Sequence, residues 1–478
     1  MVPIEHRTRG FGPFPQQQGA SGSRSTNHVN QGRDARPDVV GRACTGKAHT
    51  VMDSSTLRRR AAVGSLRGVL TILLVTTTAA VGLVAQAPVA AAGVFLAPVL
   101  VGNKIDEPGI HVAPDGTLYI EGPAGILNGI PSASTIFRSN DDGATWAPTP
   151  PGLRALLPGG GDSTLAIAPN GDLAFADLWA GSSTVAQSAD RADGWLAVPA
   201  AGLPIQDRPW LANAGGSDYL AYHQLPSGVA VSKSIGGGLV YPQTTEAATI
   251  LDQDGCITCA AGGIIATAGG TALTDRVGVI FSAQNGGVKF SRSTNSGLTW
   301  TVKTIQPGGI SNDTLVFPTI ADAGGGRLVA VWLNVTDTRS TVMLATSTDW
   351  GDTWSATDAI VTSGTSVFPW VAAKGEKVAI SLYWNASQAT PDTSPADAAW
   401  YESYLESADF ATTFSPLTPA DPTPVKVGPI CTQGARCQGN RELGDFQSVA
   451  IDNQGRADLA YNRSVDGGDV EVRFVRHR

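Results

Sequence analysis

The sequence has few of the residues on which several common kinds of active site depend. Among 478 residues it has only 5 cysteines, 3 methionines and 6 histidines, and charged residues make up 15% of the chain. It also contains no Ser-His-Asp nucleophile elbow, no Gly-rich phosphate loop and no His-rich metal motif. Serine-hydrolase chemistry, P-loop nucleotide binding and His-based metal sites are therefore not indicated.

Basic residues are scarce in the larger part of the chain. After residue 92 it carries 22 Lys and Arg against 37 Asp and Glu, whereas residues 1–92 are basic. Nucleic acids and anionic membranes attract positively charged surfaces, so this acidic part is not expected to bind either. We expect one domain over residues 93–478, acting as a monomer.

The N-terminal part has the layout of a secretory signal. Arg58–Arg60 and Arg67 precede an apolar run, Val69–Ala85, and the small residues Ala90–Ala92 follow. We expect residues 52–92 to be a signal peptide cleaved near Ala92, with a membrane anchor as the alternative. Residues 1–51 look disordered, and we hypothesise that translation starts at Met52. The protein is then extracellular, with no membrane span after cleavage.

Four cysteines follow the proposed cleavage site. Export permits disulfides, and the spacing favours the local pairs Cys431–Cys437 and Cys256–Cys259. The C-x-x-C spacing of the second pair also occurs in metal and redox sites, which is the alternative.

One octet recurs and sets the architecture. Ser139–Trp146, Ser293–Trp300 and Ser347–Trp354 share the pattern S-x-[DN]-x-G-x-T-W. The Asp or Asn suits an Asx-turn, the Gly allows a positive φ, and Thr-Trp starts a strand. We expect each octet to be a structural hairpin corner whose Trp packs against its own sheet, and none of its Asp residues to be catalytic.

The octets resemble the Asp-box, or BNR, repeat of the sialidase superfamily, including secreted bacterial sialidase-like proteins. The resemblance implies an all-β fold, a β-propeller, over most of residues 94–478. Sialidases use three Arg, a Tyr–Glu pair and an Asp, with the first Arg in an Arg-Ile-Pro motif. That motif is absent here, and Tyr401 and Glu402 are adjacent, so their side chains should point to opposite faces of a strand. The sialidase catalytic set is therefore not evident.

Weaker copies of the octet raise the number of repeats. Degenerate octets start at Ser188, Ser232 and Ser407, which gives six octets at blade-like intervals. An apolar hairpin with a Gly, Asp or Asn turn precedes each octet and also occurs a seventh time, near the C-terminus. The last unit lacks a fourth strand. We therefore predict seven blades, with Val94–Val101 closing the last, and six blades as the alternative.

Charged residues cluster just before the strands that should line the central channel. Loops entering these strands meet at one channel mouth, on the rim opposite the octets. The candidates for catalysis are Asp106, Asp207, Arg208, Arg441 and Asp445; those for substrate binding are Trp210 and Glu442; those for metal binding are Asp106, Asp162, Asp207 and Asp445.

These residues support two interpretations. Paired carboxylates with Arg208 and Arg441 suit the binding or hydrolysis of a glycan or cell-surface polysaccharide by an exo-α-sialidase-like glycoside hydrolase. Converging carboxylates also suit Ca²⁺, which prefers oxygen ligands. The alternatives are a non-enzymatic extracellular interaction scaffold, possible calcium stabilisation, or carboxylates that only cap turns and form ion pairs. The side chain of Trp210 is equally suited to packing in the hydrophobic core beneath its strand.

Overall fold

The computed structural model describes residues 94–103, 105–124, 133–226, 228–271, 273–312, 315–464 and 470–478. The proposed disordered segment 1–51 and signal peptide 52–92 lie outside these residues. Among the described residues, no helix is both long and apolar enough to cross a membrane.

The described chain is all-β and forms seven antiparallel blades. Blade 1 contains β2 Gly109–Val112, β3 Leu118–Gly122, β4 Thr135–Ser139 and β5 Ala147–Pro148; blade 2 contains β6 Ser163–Ile167, β7 Leu173–Trp179, β8 Ser182–Ser188 and β9 Leu196–Ala201. Blade 3 contains β10 Gln206–Ala214, β11 Ser217–Gln224, β12 Gly228–Ile235 and β13 Val240–Thr249; blade 4 contains β14 Ala261–Thr267, β15 Arg276–Ala283, β16 Gly287–Ser293 and β17 Thr301–Gln306.

The remaining three blades follow the same order. Blade 5 contains β18 Thr319–Gly324, β19 Arg327–Thr336, β20 Arg339–Ser347 and β21 Asp358–Val361; blade 6 contains β22 Thr365–Lys374, β23 Lys377–Asn385, β24 Ala399–Ser407 and β25 Thr418–Pro419, with β26 Lys426–Val427 also paired to β24. Blade 7 contains β27 Ser448–Ile451, β28 Ala457–Ser464 and β29 Val470–Arg476, and is completed by β1 Val99–Asn103. Short 3₁₀ turns lie in loops at Gly152–Leu156, Gln284–Gly286, Pro391–Thr393 and Gly434–Arg436.

The first strands of consecutive blades contact one another around the central axis and form a closed ring. Contacts run from β2 to β6, onward through β10, β14, β18 and β22 to β27, and from β27 back to β2. Closure leaves no inner strand without neighbours, which removes the edge that an open sheet would expose. The prediction of a seven-bladed propeller is confirmed.

The N-terminal strand closes the ring as predicted, but with a shifted boundary. β1 pairs antiparallel with β29 over Val99–Asn103, whereas the prediction was Val94–Val101. Before it, Phe95 makes a single bridge to His477, and Leu96 N–H donates to Arg476 O at 2.9 Å. The pairing is interrupted because the chain runs irregularly between Leu96 and Val99.

The octet turns share one hydrogen-bond pattern. Ser347 Oγ accepts the Gly351 N–H at 2.8 Å, and Asp349 accepts both the N–H and the hydroxyl of Thr353, at 2.9 and 2.6 Å. These bonds lower the pKa of Asp349 to about 2. Equivalent Ser and Asp or Asn contacts occur in the turns that begin at Ser139, Ser188, Ser293 and Ser407. The turn starting at Ser232 differs, because Ser232–Ile235 continue β12 and three glycines follow.

The octet tryptophans pack in two ways. Trp195 of a degenerate octet lies against Phe175 of its own blade, as predicted. Trp146 also contacts Phe474 of blade 7, and Trp354 meets Phe290 of blade 4 edge-on. The rings of these two octets therefore bury apolar area of the preceding blade as well, which the prediction did not include.

Both predicted disulfides are present, Cys256–Cys259 and Cys431–Cys437. Each closes a loop that enters an inner strand. The alternative of a metal or redox role for the C-x-x-C pair is therefore not favoured.

Candidate functional site

The candidate site is a pocket at the mouth of the central channel, on the rim opposite the octets. Because the strands of each blade are antiparallel, loops that enter first strands lie at one end of the channel and loops between third and fourth strands lie at the other. The pocket has a volume of about 310 Å³. It is lined by the charged side chains Glu107, Asp162, Asp207, Arg208, Arg436, Arg441 and Asp445.

Arg208 forms the floor of this mouth pocket. A β-bulge separates Asp207 from Trp210 in β10, and Arg208 itself has a positive φ of 42°. Bulges redirect side chains, and this one turns the guanidinium to the axis. There it lies 4.2 Å from the ring centroids of both Trp210 and Phe446, an arrangement suited to cation–π attraction.

Glu107 is the central carboxyl group of the site. Its Oε2 lies 3.3 Å from Arg208 Nη1, and its Oε1 lies 3.5 Å from Arg441 Nη2. Burial raises the pKa of Glu107 well above its usual range, and the neighbouring Asp445 and Asp162 add to this effect while Arg208 opposes it. We predicted Asp106 for catalysis and metal binding, but its neighbour Glu107 lines the pocket instead. Glu107 has a positive φ of 47°, a backbone conformation that the sequence alone does not reveal.

Arg441 and Asp445 form a two-point ion pair in the loop before β27. Arg441 Nε and Nη2 donate to the two Asp445 oxygens at 3.1 and 2.7 Å. Such fork-like pairs hold both groups in one orientation. Asp445 is therefore presented to the pocket as an oriented carboxylate.

Asp162 and Asp207 complete the acidic wall. Asp162 Oδ1 lies 3.9 Å from Arg208 Nη1. Desolvation by the surrounding protein raises the pKa of both carboxyl groups, and Asp445 raises them further. Asp207 nevertheless reaches solvent at the pocket rim. It is the carboxyl group best placed to exchange protons with a bound molecule.

Two predicted site residues lie beside the pocket rather than in it. Asp106 packs against Gly444, where a Cβ would come within 2.5 Å of Asp106 Oδ1. Desolvation of this carboxylate raises its pKa to about 7, although the residue is half-buried. Glu442 turns outward and accepts a 2.7 Å bond from Lys426 Nζ. Neither residue lines the mouth pocket, so its assigned role is not supported.

Trp210 belongs to the channel core. It is 6% exposed, its Nε1 donates to Ala261 O at 2.8 Å, and its ring packs on Phe317, Trp370 and Phe446. It lies beneath Arg208 and does not line the mouth pocket. The structure therefore favours the alternative interpretation of Trp210, as a core residue, over a role in substrate binding.

The carboxylates do not form a metal cluster. Within the described ranges, no three His, Cys, Asp or Glu side chains are grouped so that they could hold a metal ion. Of the predicted calcium ligands, Asp106 does not line the pocket, Asp162 lies 3.9 Å from Arg208, and Asp445 is paired with Arg441. Two guanidinium groups already neutralise the charge that a cation would otherwise balance.

Several lining residues were not predicted. The lining also includes the apolar side chains of Leu225, Ile257, Leu315 and Phe317. The two disulfide loops contribute to the lining, since Ile257 and Thr258 lie within one bonded loop and Gln433, Gly434 and Arg436 within the other. The cysteine spacing itself was a signal that these loops are held in place. His223 also lines the pocket and was detectable only through strand register, because it pairs with Asp207 across β10 and β11.

The fold and this site define a seven-bladed β-propeller with a charged pocket at one mouth of its channel. No protein-family model matches the chain, and no curated protein matches it either. Solved structures do resemble it. The α-L-arabinofuranosidase of Fusarium graminearum is 13% identical over 81% of this chain and 98% of its own, with a TM-score of 0.45.

Two further structures show the same level of similarity. An ulvan lyase of a polysaccharide lyase family is 12% identical over 79% of this chain and 95% of its own, with a TM-score of 0.45. A Hadza microbial sialidase is 15% identical over 77% of this chain and 65% of its own, with a TM-score of 0.38. At these identities the similarity concerns the fold alone.

Proposed function

We propose that the protein is an extracellular, sialidase-like Asp-box propeller that binds and hydrolyses glycans in the mouth pocket. The observation that carries the proposal is a pair of carboxyl groups in different surroundings at one cavity. Asp207 is exposed at the pocket rim and desolvation raises its pKa, whereas Asp445 accepts two hydrogen bonds from Arg441. Glycoside hydrolysis uses two carboxyl groups with different roles, one acid to protonate the leaving oxygen and one carboxylate to act on the opposite side.

The acidic groups of the pocket are close together. Oxygens of Glu107 and Asp162 both lie near Arg208 Nη1, at 3.3 and 3.9 Å, so these two oxygens are no more than about 7 Å apart. Asp207 and Asp445 line the same pocket. Glycoside hydrolysis depends on such a pair of carboxyl groups at one cavity.

The apolar part of the pocket lining suits one face of a sugar ring. Pyranose and furanose rings have a C–H face that packs on apolar surfaces, and Phe317, Leu225 and Leu315 supply such a surface. Ligand sites commonly combine an apolar wall with a few oriented polar groups. In this proposal Arg208 and Arg441 orient the carboxylates, Asp207 donates the proton and Asp445 acts as base or nucleophile.

Export fits the same proposal. Two disulfides form within the described chain, and such bonds persist mainly in oxidising compartments. An extracellular enzyme would meet polysaccharides rather than cytosolic metabolites. Detection of the mature chain in culture medium, with an N-terminus near residue 93, tests the export step.

A panel of aryl glycosides and oligosaccharides tests the activity. We expect release of sugar from at least one member by the wild-type protein, and a loss of about 100-fold or more in kcat for Asp207→Asn and Asp445→Asn, in line with the usual contribution of acid–base groups. Asp358→Asn is the matched control, because Asp358 is exposed on the outer strand β21. No turnover and no binding across the panel would refute the proposal.

A non-enzymatic scaffold is the second candidate. Large aliphatic side chains are exposed on loops of the same rim, including Leu156 at 78% and Leu251 at 81%. Exposed apolar surface often marks a site of protein contact. Glycan or protein binding without turnover, unaffected by Asp207→Asn, would favour the scaffold.

A further inference from the structure

His223 is a pocket residue to which the proposed hydrolysis gives no role. It lies on β11, directly across from Asp207 on β10, and is 2% exposed. Opposed residues of an antiparallel pair project from the same face of the sheet. The imidazole therefore belongs to the wall that carries the proposed proton donor.

The hydrogen-bonding capacity of this imidazole is not met inside the protein. Among the described residues, His223 Nε2 is buried without a hydrogen-bond partner. Buried polar groups in proteins are nearly always paired, so one that is unpaired beside an open cavity points to a partner supplied from the cavity. The same cavity is lined by Thr258, Ser282 and Gln433, which are also uncharged and polar.

The charge state of His223 indicates which chemical group of a ligand it could bind. Burial lowers the pKa of His223 to about 4, and no neighbouring carboxylate offsets this. The ring is therefore uncharged at neutral pH and offers one donor and one acceptor. An alcohol group has the complementary capacity, whereas a carboxylate or sulfate would gain no charge attraction here.

We propose that His223 is a specificity-determining residue that hydrogen-bonds an uncharged sugar hydroxyl of the glycan next to Asp207. This inference rests on the proposed function and adds the class of group recognised, a neutral polyol ring rather than an acidic substituent at this position. Its role is binding, so it acts on recognition of the ring and leaves proton donation to Asp207.

A set of deoxy substrates tests the inference. The probes are an aryl glycoside cleaved by the wild-type protein and its monodeoxy derivatives, one for each hydroxyl. With wild type, one derivative should lose about tenfold to hundredfold in kcat/KM, because a site built for a hydroxyl leaves polar groups unpaired without it. His223→Phe should lose a similar factor on the parent glycoside, mainly in KM, and lose nothing more on that one derivative.

Two further variants distinguish a loss of hydroxyl recognition from a general disturbance of the fold. His223→Gln, which keeps a donor and an acceptor, should recover part of the discrimination and serves if His223→Phe does not fold. His477→Phe is the matched control, since His477 is a partly buried imidazole that directly follows β29 and does not line the pocket. Unchanged discrimination at every hydroxyl in folded His223→Phe would overturn this inference alone. Absence of any cleavage or glycan binding by wild type would overturn the proposed function as well.

Discussion

The buried ion pair between Arg208 and Glu107 makes the strongest quantitative prediction. Their side chains are only 4% and 5% exposed, and the pair is 3.3 Å apart. Arg208→Met removes the guanidinium but keeps an apolar chain of similar length beside Trp210 and Phe446. Removing one partner of a buried pair typically costs about 3–5 kcal/mol, because the other charge is left buried without compensation.

Two features moderate the cost here. Arg441 Nη2 stays 3.5 Å from Glu107, and the raised pKa of Glu107 lets it take up a proton. We therefore expect Arg208→Met to lower the free energy of unfolding by about 3 kcal/mol at pH 7. The cost should shrink as the pH falls, since protonation removes the unpaired charge on Glu107.

A double-mutant cycle measures the pair directly by denaturant unfolding. Glu107→Gln in the Arg208→Met background should cost far less than it does alone, with a coupling of about 2 kcal/mol. Strict additivity of the two substitutions within about 0.5 kcal/mol would refute the ion-pair account, as would a cost for Arg208→Met that does not change between pH 5 and pH 7.

Three further predictions concern the turns, pH and loops. Asp349→Ala should lower Tm by a few degrees, whereas Asp349→Asn should be nearly neutral. In blade 4 Asn295 holds the equivalent turn by accepting the Thr299 N–H and donating to the Thr299 hydroxyl. Thermal unfolding distinguishes the two variants. The pKa of Asp106 is raised from 3.8 to about 7, so the folded state binds more protons and stability should fall as pH rises between those values; Asp106→Asn should flatten that decline in chemical unfolding at several pH values. The double variant Cys431→Ser/Cys437→Ser should lower the free energy of unfolding by about 2 kcal/mol, because the unfolded chain regains the entropy of the closed loop. It should also raise KM more than it lowers kcat. Values of KM and kcat equal to those of the wild-type protein would contradict the role of this loop in the pocket.

The blade architecture was predictable because its signals are local. All octets except the one at Ser232 carry their own hydrogen-bonding Ser and Asp or Asn, and each hairpin has its own turn residues. Each blade can therefore be recognised from its own sequence without its neighbours. The closing strand followed from counting, since blade 7 ended one strand short at β29. Only its boundary was wrong, because Leu96 and the following residues leave the ladder before β1 begins at Val99.

The position of the site in the fold was predictable from the sequence, but most of the contacts between its residues were not. Topology alone brings Asp162, Asp207, Arg208, Arg441 and Asp445 to one rim, and the structure places all of them in one pocket. The choice between neighbouring residues depended on backbone conformation that a single sequence does not reveal.

The misassigned residues share that cause. Glu107, which has a positive φ, lines the pocket where Asp106 does not. At the bulge before Trp210, Arg208 lines the mouth while the indole packs in the core. His223 was missed because it is separated from Asp207 in sequence and meets it only through the register of β10 and β11. Pairing between residues that are distant in sequence leaves no local sequence motif by which it could be predicted.

A crystal structure with a glycan that the wild-type protein binds or cleaves tests the central claim most directly. The account predicts a sugar ring in the mouth pocket, with Asp207 and Asp445 on its polar side, Phe317 on its apolar side and a hydroxyl within hydrogen-bonding distance of His223. A glycan bound on the octet rim or the outer face of a blade, with the mouth pocket empty, would contradict it.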